Sequence, residues 1–259
     1  MRTPYDIVTL ARDKDRPNAK FFIDHIFDDF IEFHGDRYYG DDFSIVGGIA
    51  SIDGRSVTII GINKGRTTEE KLKSNFAMPE PEGYRKALRL MKQAEKFSRP
   101  VICLVDTPGA NCGVGAEERG QGEAIARNLL EMSTLNTPII SVIIGEGGSG
   151  GALALSVSDK VFMMENSIYS ILSPEGFSSI LWKDPSRVVE ACEVMKITSK
   201  DLLQFKIIDD IILEDKDCER TSINLKQKIN RSLSDLENLE TDELLDKRYK
   251  KFREIGNFY

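Results

Sequence analysis

Residues 139–155 read IISVIIGEGGSGGALAL, and this stretch constrains the fold more than any other. Its β-branched apolar opening is far too short to span a membrane and reads as a buried strand. The run breaks into Gly145, Gly147, Gly148, Gly150 and Gly151, then resumes as a small, apolar, helix-like segment. A strand–glycine–helix junction brings backbone N–H groups close to a ligand at the positive end of a helix. The chain holds only two histidines, so imidazole acid–base chemistry has little to draw on. An enzyme built on this sequence would rely on its backbone.

The 259 residues suffice for one large α/β domain or two small ones, and a hydrophobic content of 41% allows a sizeable core. Lys and Arg number 35 against 42 Asp and Glu, a formal charge of −7 that gives no support to nucleic-acid binding. No apolar run is long enough to cross a membrane, and the N-terminal MRTPYDIVTLARD has no signal-peptide pattern. The expectation is a cytoplasmic protein with no membrane contact. Cys103, Cys112, Cys192 and Cys218 include no C-x-x-C pair. They predict reduced thiols, with neither a disulfide framework nor a metal site on this chain.

Helical patterns cover residues 5–12 and 19–33, the second with Phe22, Ile26, Phe30 and Phe33 at helical spacing. Asp53-Gly54 between two alternating apolar runs, 45–52 and 57–62, predicts a hairpin. Residues 64–81 read as a polar surface loop. An amphipathic helix follows over 83–97, then a strand at 101–105, a helix over 116–132, the opening strand, and a short helix from about residue 152. Strands are expected at 161–164 and 167–172, as a pair. Ser173-Pro174-Glu175 is a capped helix start. Further helices over 185–195 and 199–205 and a last strand over 207–213 precede a charged, helical remainder. Two strands often precede each helix, so the pattern suggests a superhelical stack of ββα units rather than an open doubly wound sheet. The expected division is one domain over 1–213, N-terminal helices included, and a tail over 214–259 packing on that domain or on a partner.

The glycine junction fits several motifs. Gly145-x-Gly147-x-x-Gly150 matches the dinucleotide fingerprint, with Glu165 placed as its ribose-binding acid, but the paired strands expected after it argue against that fold. Gly147-x-Ser149-x-Gly151 matches a nucleophile elbow, yet His25 and His34 both lie upstream of the serine, the wrong order for that triad. No Lys follows Gly151, which removes the P-loop. Two readings stay open. The glycines pack helix against sheet, or the N–H groups near Gly150 and Gly151 form an oxyanion hole, in which each donor contributes about 3–4 kcal/mol.

The segments GGIASIDGR (47–55), NFAMPEPEGYRKALRLMKQAEKF (75–97), DTPGANCGVGAEERGQGEAIARNL (106–129), IGEGGSGGALAL (144–155) and SPEGFSSILWKD (173–184) closely resemble the carboxyltransferase α subunits of bacterial, multi-subunit acetyl-CoA carboxylases. The likeness runs in order from about residue 3 to the C-terminus. It implies a crotonase-like α/β fold, a superhelix of ββα units with a C-terminal helical tail. It implies CO2 transfer from carboxybiotin, held on a separate biotin carboxyl carrier protein, to acetyl-CoA, giving malonyl-CoA for fatty-acid synthesis. No cofactor would be bound covalently here. Biotin carboxylase and a β subunit are the implied partners, in an α2β2 assembly whose zinc lies on the β subunit only. Gly150 and Gly151, with Gly148, would form the oxyanion hole for the biotin ureido oxygen.

Gly109 and Ala110, at a sibling junction, would line the same pocket, or Pro108-Gly109 is a purely structural turn. Arg85 and Arg89, on a basic face with Lys86 and Lys92, would contact CoA phosphates unless that face is merely solvated. Glu117, Glu118 and Arg119 would pair at the subunit boundary or form a solvated helix face. Members of the family usually read T-P-G-A-Y-P-G where this chain has Asn111-Cys112 in place of Tyr-Pro, which alters pocket shape. Val194-Met195-Lys196-Ile197 imitates a biotin-attachment site but ends a helical pattern, so Lys196 is expected on the surface. The alternatives are a stand-alone enoyl-CoA hydratase or isomerase of the same fold and a noncatalytic scaffold for the β partner.

Overall fold

Eight strands form a single mixed sheet among residues 2–256, the part of the chain that the computed structural model describes. The chain opens with α1 (Pro4–Ala11), α2 (Ala19–Ile26), β1 (Asp28–Glu32), β2 (Ile45–Ile52) and β3 (Arg55–Ile62). It continues through α3 (Thr68–Lys73), α4 (Pro81–Lys96), β4 (Val101–Thr107), α5 (Val114–Glu118), α6 (Gln121–Ser133), β5 (Ile139–Gly148) and α7 (Ser149–Leu153). Next come β6 (Lys160–Met164), β7 (Ile168–Ser170), α8 (Pro174–Leu181), α9 (Val188–Met195), α10 (Ser199–Gln204), β8 (Asp210–Ile212), α11 (Cys218–Glu237) and α12 (Thr241–Glu254).

The sheet order is β1-β2-β3-β4-β5-β6-β8, antiparallel through β3 and parallel from β3 onward. The Asp53-Gly54 hairpin forms as expected, with both turn residues at positive φ (48° and 80°), as a twist-matched two-residue turn requires. Strand β4 is buried along its whole length because both faces of the sheet are covered. Ile102 and Leu104 join one core with Phe22 and Ile23 of α2 and Leu225, Ile229, Leu233 and Leu236 of α11. Val101, Cys103 and Val105 join the other with Leu90 and Met91 of α4, Met132 of α6 and Ala152 of α7.

Several local expectations change. The helix expected over 19–33 stops at Ile26, and 28–32 pairs with β2 instead. Asp24, Asp28 and Asp29 crowd the negative end of that helix, which disfavours its extension. The open edge of β2 offers backbone partners, and Gly48 leaves room where the Ile31 carbonyl passes. The loop expected at 64–81 contains α3, whose Thr67–Glu70 capping box is present. The helix expected at 116–132 breaks at Gly120 (φ 84°). Strands β6 and β7 do not pair with each other. Both lie parallel on β5, β6 along Ile140–Ile143 and β7 along Glu146–Gly148. Helix α7 begins at Ser149 rather than near 152.

Residues beyond 213 supply one of the layers that cover the sheet. The α12 residue Arg248 is 1% exposed and reaches both Asp159 oxygens (2.8 and 2.7 Å) and the carbonyls of Met132, Leu135 and Thr137. Among the described residues no helix is long and apolar enough to cross a membrane.

Candidate active site

The two glycine junctions meet. Strand β4 ends in Thr107-Pro108-Gly109-Ala110, and β5 ends in Gly147-Gly148 before α7 begins. A Cβ on Gly151 would stand 2.5 Å from the Ala110 nitrogen, 2.7 Å from the Gly109 carbonyl carbon and 2.9 Å from Tyr84 Oη. One on Gly148 would stand 2.9 Å from the Gly109 nitrogen and overlap the Pro108 carbonyl. These approaches are closer than any side chain permits, so both glycines are needed for the strands' ends to converge. Gly150 differs, because its nearest contact would be Ile125 Cγ2 at 3.8 Å. Packing therefore explains Gly148 and Gly151 directly and leaves one side of Gly150 open.

The first junction is held by its own side chains. The Thr107 hydroxyl donates to the Gly109 carbonyl (2.7 Å) and accepts from the Gly109 N–H (3.0 Å). Gly109 sits at φ 152°, a backbone state that side chains rarely adopt. Tyr84, fully buried on α4, donates to the Gly151 carbonyl (3.3 Å). Burial drives its phenol far above its ordinary range, with the Asp42 charge adding to the effect, so it remains a neutral donor. In the first turn of α7, backbone N–H groups have no acceptor one turn earlier. A small cleft of about 50 Å³ opens here, lined by Arg12, Pro108, Glu146–Ser149 and Ser170 among others.

Ionic contacts surround the junctions. Arg12 pairs with Glu146 (2.7 Å) and Glu175 (2.6 Å), and Lys64 pairs with Asp106 (3.2 Å) and Glu146 (3.6 Å). None of Arg12, Lys64, Asp106 or Glu146 stands out in the sequence as a site residue, since each comes from a different segment. Nothing in the sequence marks Tyr84 beyond its place in the amphipathic helix over 83–97.

The basic face of α4 is engaged within the chain. Arg85 pairs with Asp36 (2.8 Å) and donates to the Arg119 carbonyl (2.9 Å). Arg89 donates to the carbonyls of Gly35 and His34. Lys86 is buried on Asp41 (2.7 Å), and Lys92 pairs with Glu95 and Glu131. The structure thus directs Arg85 and Arg89 to the 34–42 loop, and a CoA phosphate would compete with these partners. Arg119 pairs with Glu80 and Glu82, while Glu117 and Glu118 are exposed.

The competing motifs fare poorly. Ser149 is exposed at φ 52°, but His25 stacks on Phe21 and His34 bonds Asp41, both beside a separate groove of about 680 Å³. For the dinucleotide reading, β7 lies along Glu146–Gly148 and α7 has five residues, too short for the long phosphate-binding helix of that fold. Asn111, at the family's tyrosine position, bonds Glu80 and accepts from the Gly113 N–H. Lys196 is exposed at the left-handed end of α9. Among the described residues no group of three His, Cys, Asp or Glu could hold a metal ion.

Comparison with known proteins matches the chain to a family. The family described as acetyl co-enzyme A carboxylase carboxyltransferase-like matches residues 2–256. A Clostridium botulinum (strain Alaska E43) protein named acetyl-coenzyme A carboxylase carboxyl transferase subunit alpha is 61% identical over 259 residues, 98% of this chain and 94% of that one. A Natranaerobius thermophilus chain named for subunits beta/alpha of the same enzyme is 60% identical over 261 residues, 99% of this chain and 43% of that one. Among solved structures, the transcarboxylase 12S core superposes with a TM-score of 0.74 at 22% identity, covering 92% of this chain and 45% of that one. This chain therefore spans less than half of that neighbour's length, and the likeness establishes the crotonase-like α/β fold expected from the sequence. With a match over residues 2–256 and 61% identity across nearly the whole of a curated relative, the chain belongs to the acetyl co-enzyme A carboxylase carboxyltransferase-like family.

Proposed function

We propose that this chain is the α half of a biotin-dependent carboxyltransferase that makes malonyl-CoA from acetyl-CoA for fatty-acid synthesis. The observation that carries the reading is the convergence of the two glycine junctions, where Gly151 packs against the Ala110 nitrogen, in a chain whose family match spans residues 2–256. Carboxybiotin on a separate carrier protein supplies the carboxyl group. A Cβ at Gly148 or Gly151 would collide with the backbone of Pro108 to Ala110, so the two junctions brace each other and fix the α7 amides that would meet the biotin ureido oxygen. The N–H groups of Gly150 and Gly151 hold the negative charge that develops on that oxygen, helped by the positive end of α7. The Ala110 N–H is placed on the opposite wall, while the Gly109 N–H is held by the Thr107 hydroxyl. Preorganised donors of this kind contribute about 3–4 kcal/mol each to the transition state. Once its carboxyl group has left, the biotin ureido anion takes the acetyl proton, so the reading asks for no base on this chain.

The α name of the relatives, and the fused beta/alpha relative, support a β subunit as the partner that completes the site. The finer assignments belong to the same reading: a biotin carboxyl carrier protein, biotin carboxylase, zinc on the β subunit only, and a cytoplasmic location. The test is to express the chain alone and with a β subunit and follow carboxyl exchange between malonyl-CoA and biotin. Exchange in the pair and not in the single chain is expected. Turnover of an enoyl-CoA by the chain alone would replace this reading with the hydratase, and pair activity indifferent to the glycine junction would replace it with a scaffold.

A further inference from the structure

We propose that Asp106 is a positioning residue that sets the geometry of the oxyanion-binding junction through a bulge in β5. The inference rests on the carboxyl-transfer reading and names the side chain that aims its donors. Strands β4 and β5 run in regular register up to Val105 opposite Ile143, and the next pair is Thr107 opposite Gly147. One residue of β4, Asp106, therefore faces three of β5. A bulge of this kind leaves backbone groups unpaired and bends its strand.

Two of the freed groups have side-chain partners. The Glu146 N–H donates to Asp106 Oδ1 (2.9 Å), and the Ile144 carbonyl accepts from Arg16 Nε (2.6 Å). Gly145 has no side chain because a Cβ there would stand 2.6 Å from Asp106 Cγ. The carboxylate thus occupies the volume that the bulge opens. It is 3% exposed, and Lys64 Nζ, on its solvent side, supplies the balancing charge at 3.2 Å. Everything beyond the bulge inherits its direction. Gly147 pairs with Thr107, Gly148 packs on Pro108, and Gly151 meets Ala110. Without the Asp106 bond, Glu146 to Gly148 would keep their pairing with β7 but lose the contact on the β4 side that sets the α7 amides against the Gly109 turn.

Three variants in the complex with the β subunit separate positioning from packing. Asp106→Asn keeps the shape and an oxygen to accept from Glu146. Asp106→Ala removes the acceptor and leaves a void. Asp106→Ala combined with Gly145→Ala refills that void with a methyl group but restores no acceptor. Malonyl-CoA exchange, thermal midpoint and hydrogen exchange at the Glu146 amide are measured for each. The expected kcat losses are under about tenfold for Asp106→Asn and on the order of 100-fold for Asp106→Ala, with KM for malonyl-CoA changed less than about threefold. The double variant is expected to regain thermal stability and not kcat. Glu146 amide protection should fall in both Ala variants and survive in Asn.

Wild-type kcat in Asp106→Ala, or kcat recovered together with stability in the double variant, overturns the proposal. If the single Ala variant does not assemble, Asp106→Asn against the double variant decides the question. Wild-type exchange activity in the same preparation tests the carboxyl-transfer reading separately, and amide protection reports on positioning whether or not exchange is seen.

Discussion

The peptide nitrogen of Ala110 lies 2.5 Å from the point where a Cβ on Gly151 would stand, while a Cβ on Gly150 would find nothing nearer than 3.8 Å. Adjacent glycines in one short helix therefore predict opposite outcomes. Gly151→Ala forces the two junctions apart and should cut exchange by about 100-fold or more, as the loss of an aligned oxyanion donor does. It should also disturb local packing, so a larger Gly151→Val replacement is not a clean probe of chemistry. Gly150→Ala keeps its N–H, fits the available space, and should stabilise the chain by about 0.5–1 kcal/mol through the lower entropy of the unfolded state. Paired kinetic and denaturation measurements check this, and equal losses in the two variants would refute the distinction.

Cys112 is exposed one residue beyond Asn111, on the loop that leaves the Gly109 turn. Burial pushes the Cys103 thiol up to about 12, and Cys192, also buried, to about 11, both far less reactive than an ordinary thiol. Limited alkylation of the chain near pH 8 should therefore mark Cys112 first. Peptide mapping reads the order of labelling. First labelling at Cys103 or Cys192 would contradict the burial described above.

Arg248 fixes α12 beneath the sheet through Asp159 and three carbonyl groups. Arg248→Ala leaves that carboxylate buried without its partner and should cost about 3–5 kcal/mol in a urea titration. Arg248→Lys should rescue little, because one ammonium cannot span the contacts of a planar guanidinium. A shift below about 1 kcal/mol would indicate that the pair is solvated.

The 34–42 loop carries two aspartates with opposed titrations. Burial raises Asp42, in spite of hydrogen bonds from Ser44 and Glu80. Burial also works against the charge of Asp36, but the N–H groups of Tyr38, Tyr39 and Gly40 and the Arg85 guanidinium more than offset it and hold the carboxyl below its ordinary 3.8. The folded state thus binds a proton more weakly than the unfolded chain at Asp36, and more tightly at Asp42. Stability from Asp36 is complete above 3.8 and is lost as pH falls through its lower folded value. The Asp42 contribution declines as pH rises through its raised value. Denaturation curves from about pH 3 to 7 should show Asp36→Asn with a weaker acid fall and Asp42→Asn with a steeper rise. Identical pH slopes in the two variants would contradict these assignments.

The strands and the second glycine junction were legible because β-branched runs and Gly clusters are local signals. So were the hairpin at Asp53-Gly54 and the capped start at Ser173. The fate of 27–33 was not, because helical spacing of Phe30 and Phe33 competes with an open strand edge that only the assembled sheet provides. The bulge at Ile144–Glu146 was equally hidden, since its cause, Asp106, lies on the neighbouring strand. Arg85 and Arg89 looked available for phosphates because the sequence does not show that the 34–42 loop folds over them. The charged remainder left open whether it packs on its own domain or on a partner, and the spaced leucines of α11 close one of the two cores.

The most direct measurement is a crystal structure of the chain with its β subunit and a biotin analogue. The ureido oxygen is expected within about 3 Å of the Gly150 or Gly151 nitrogen, opposite the Gly109 turn. An analogue bound in the same complex with that oxygen remote from both amides would contradict it.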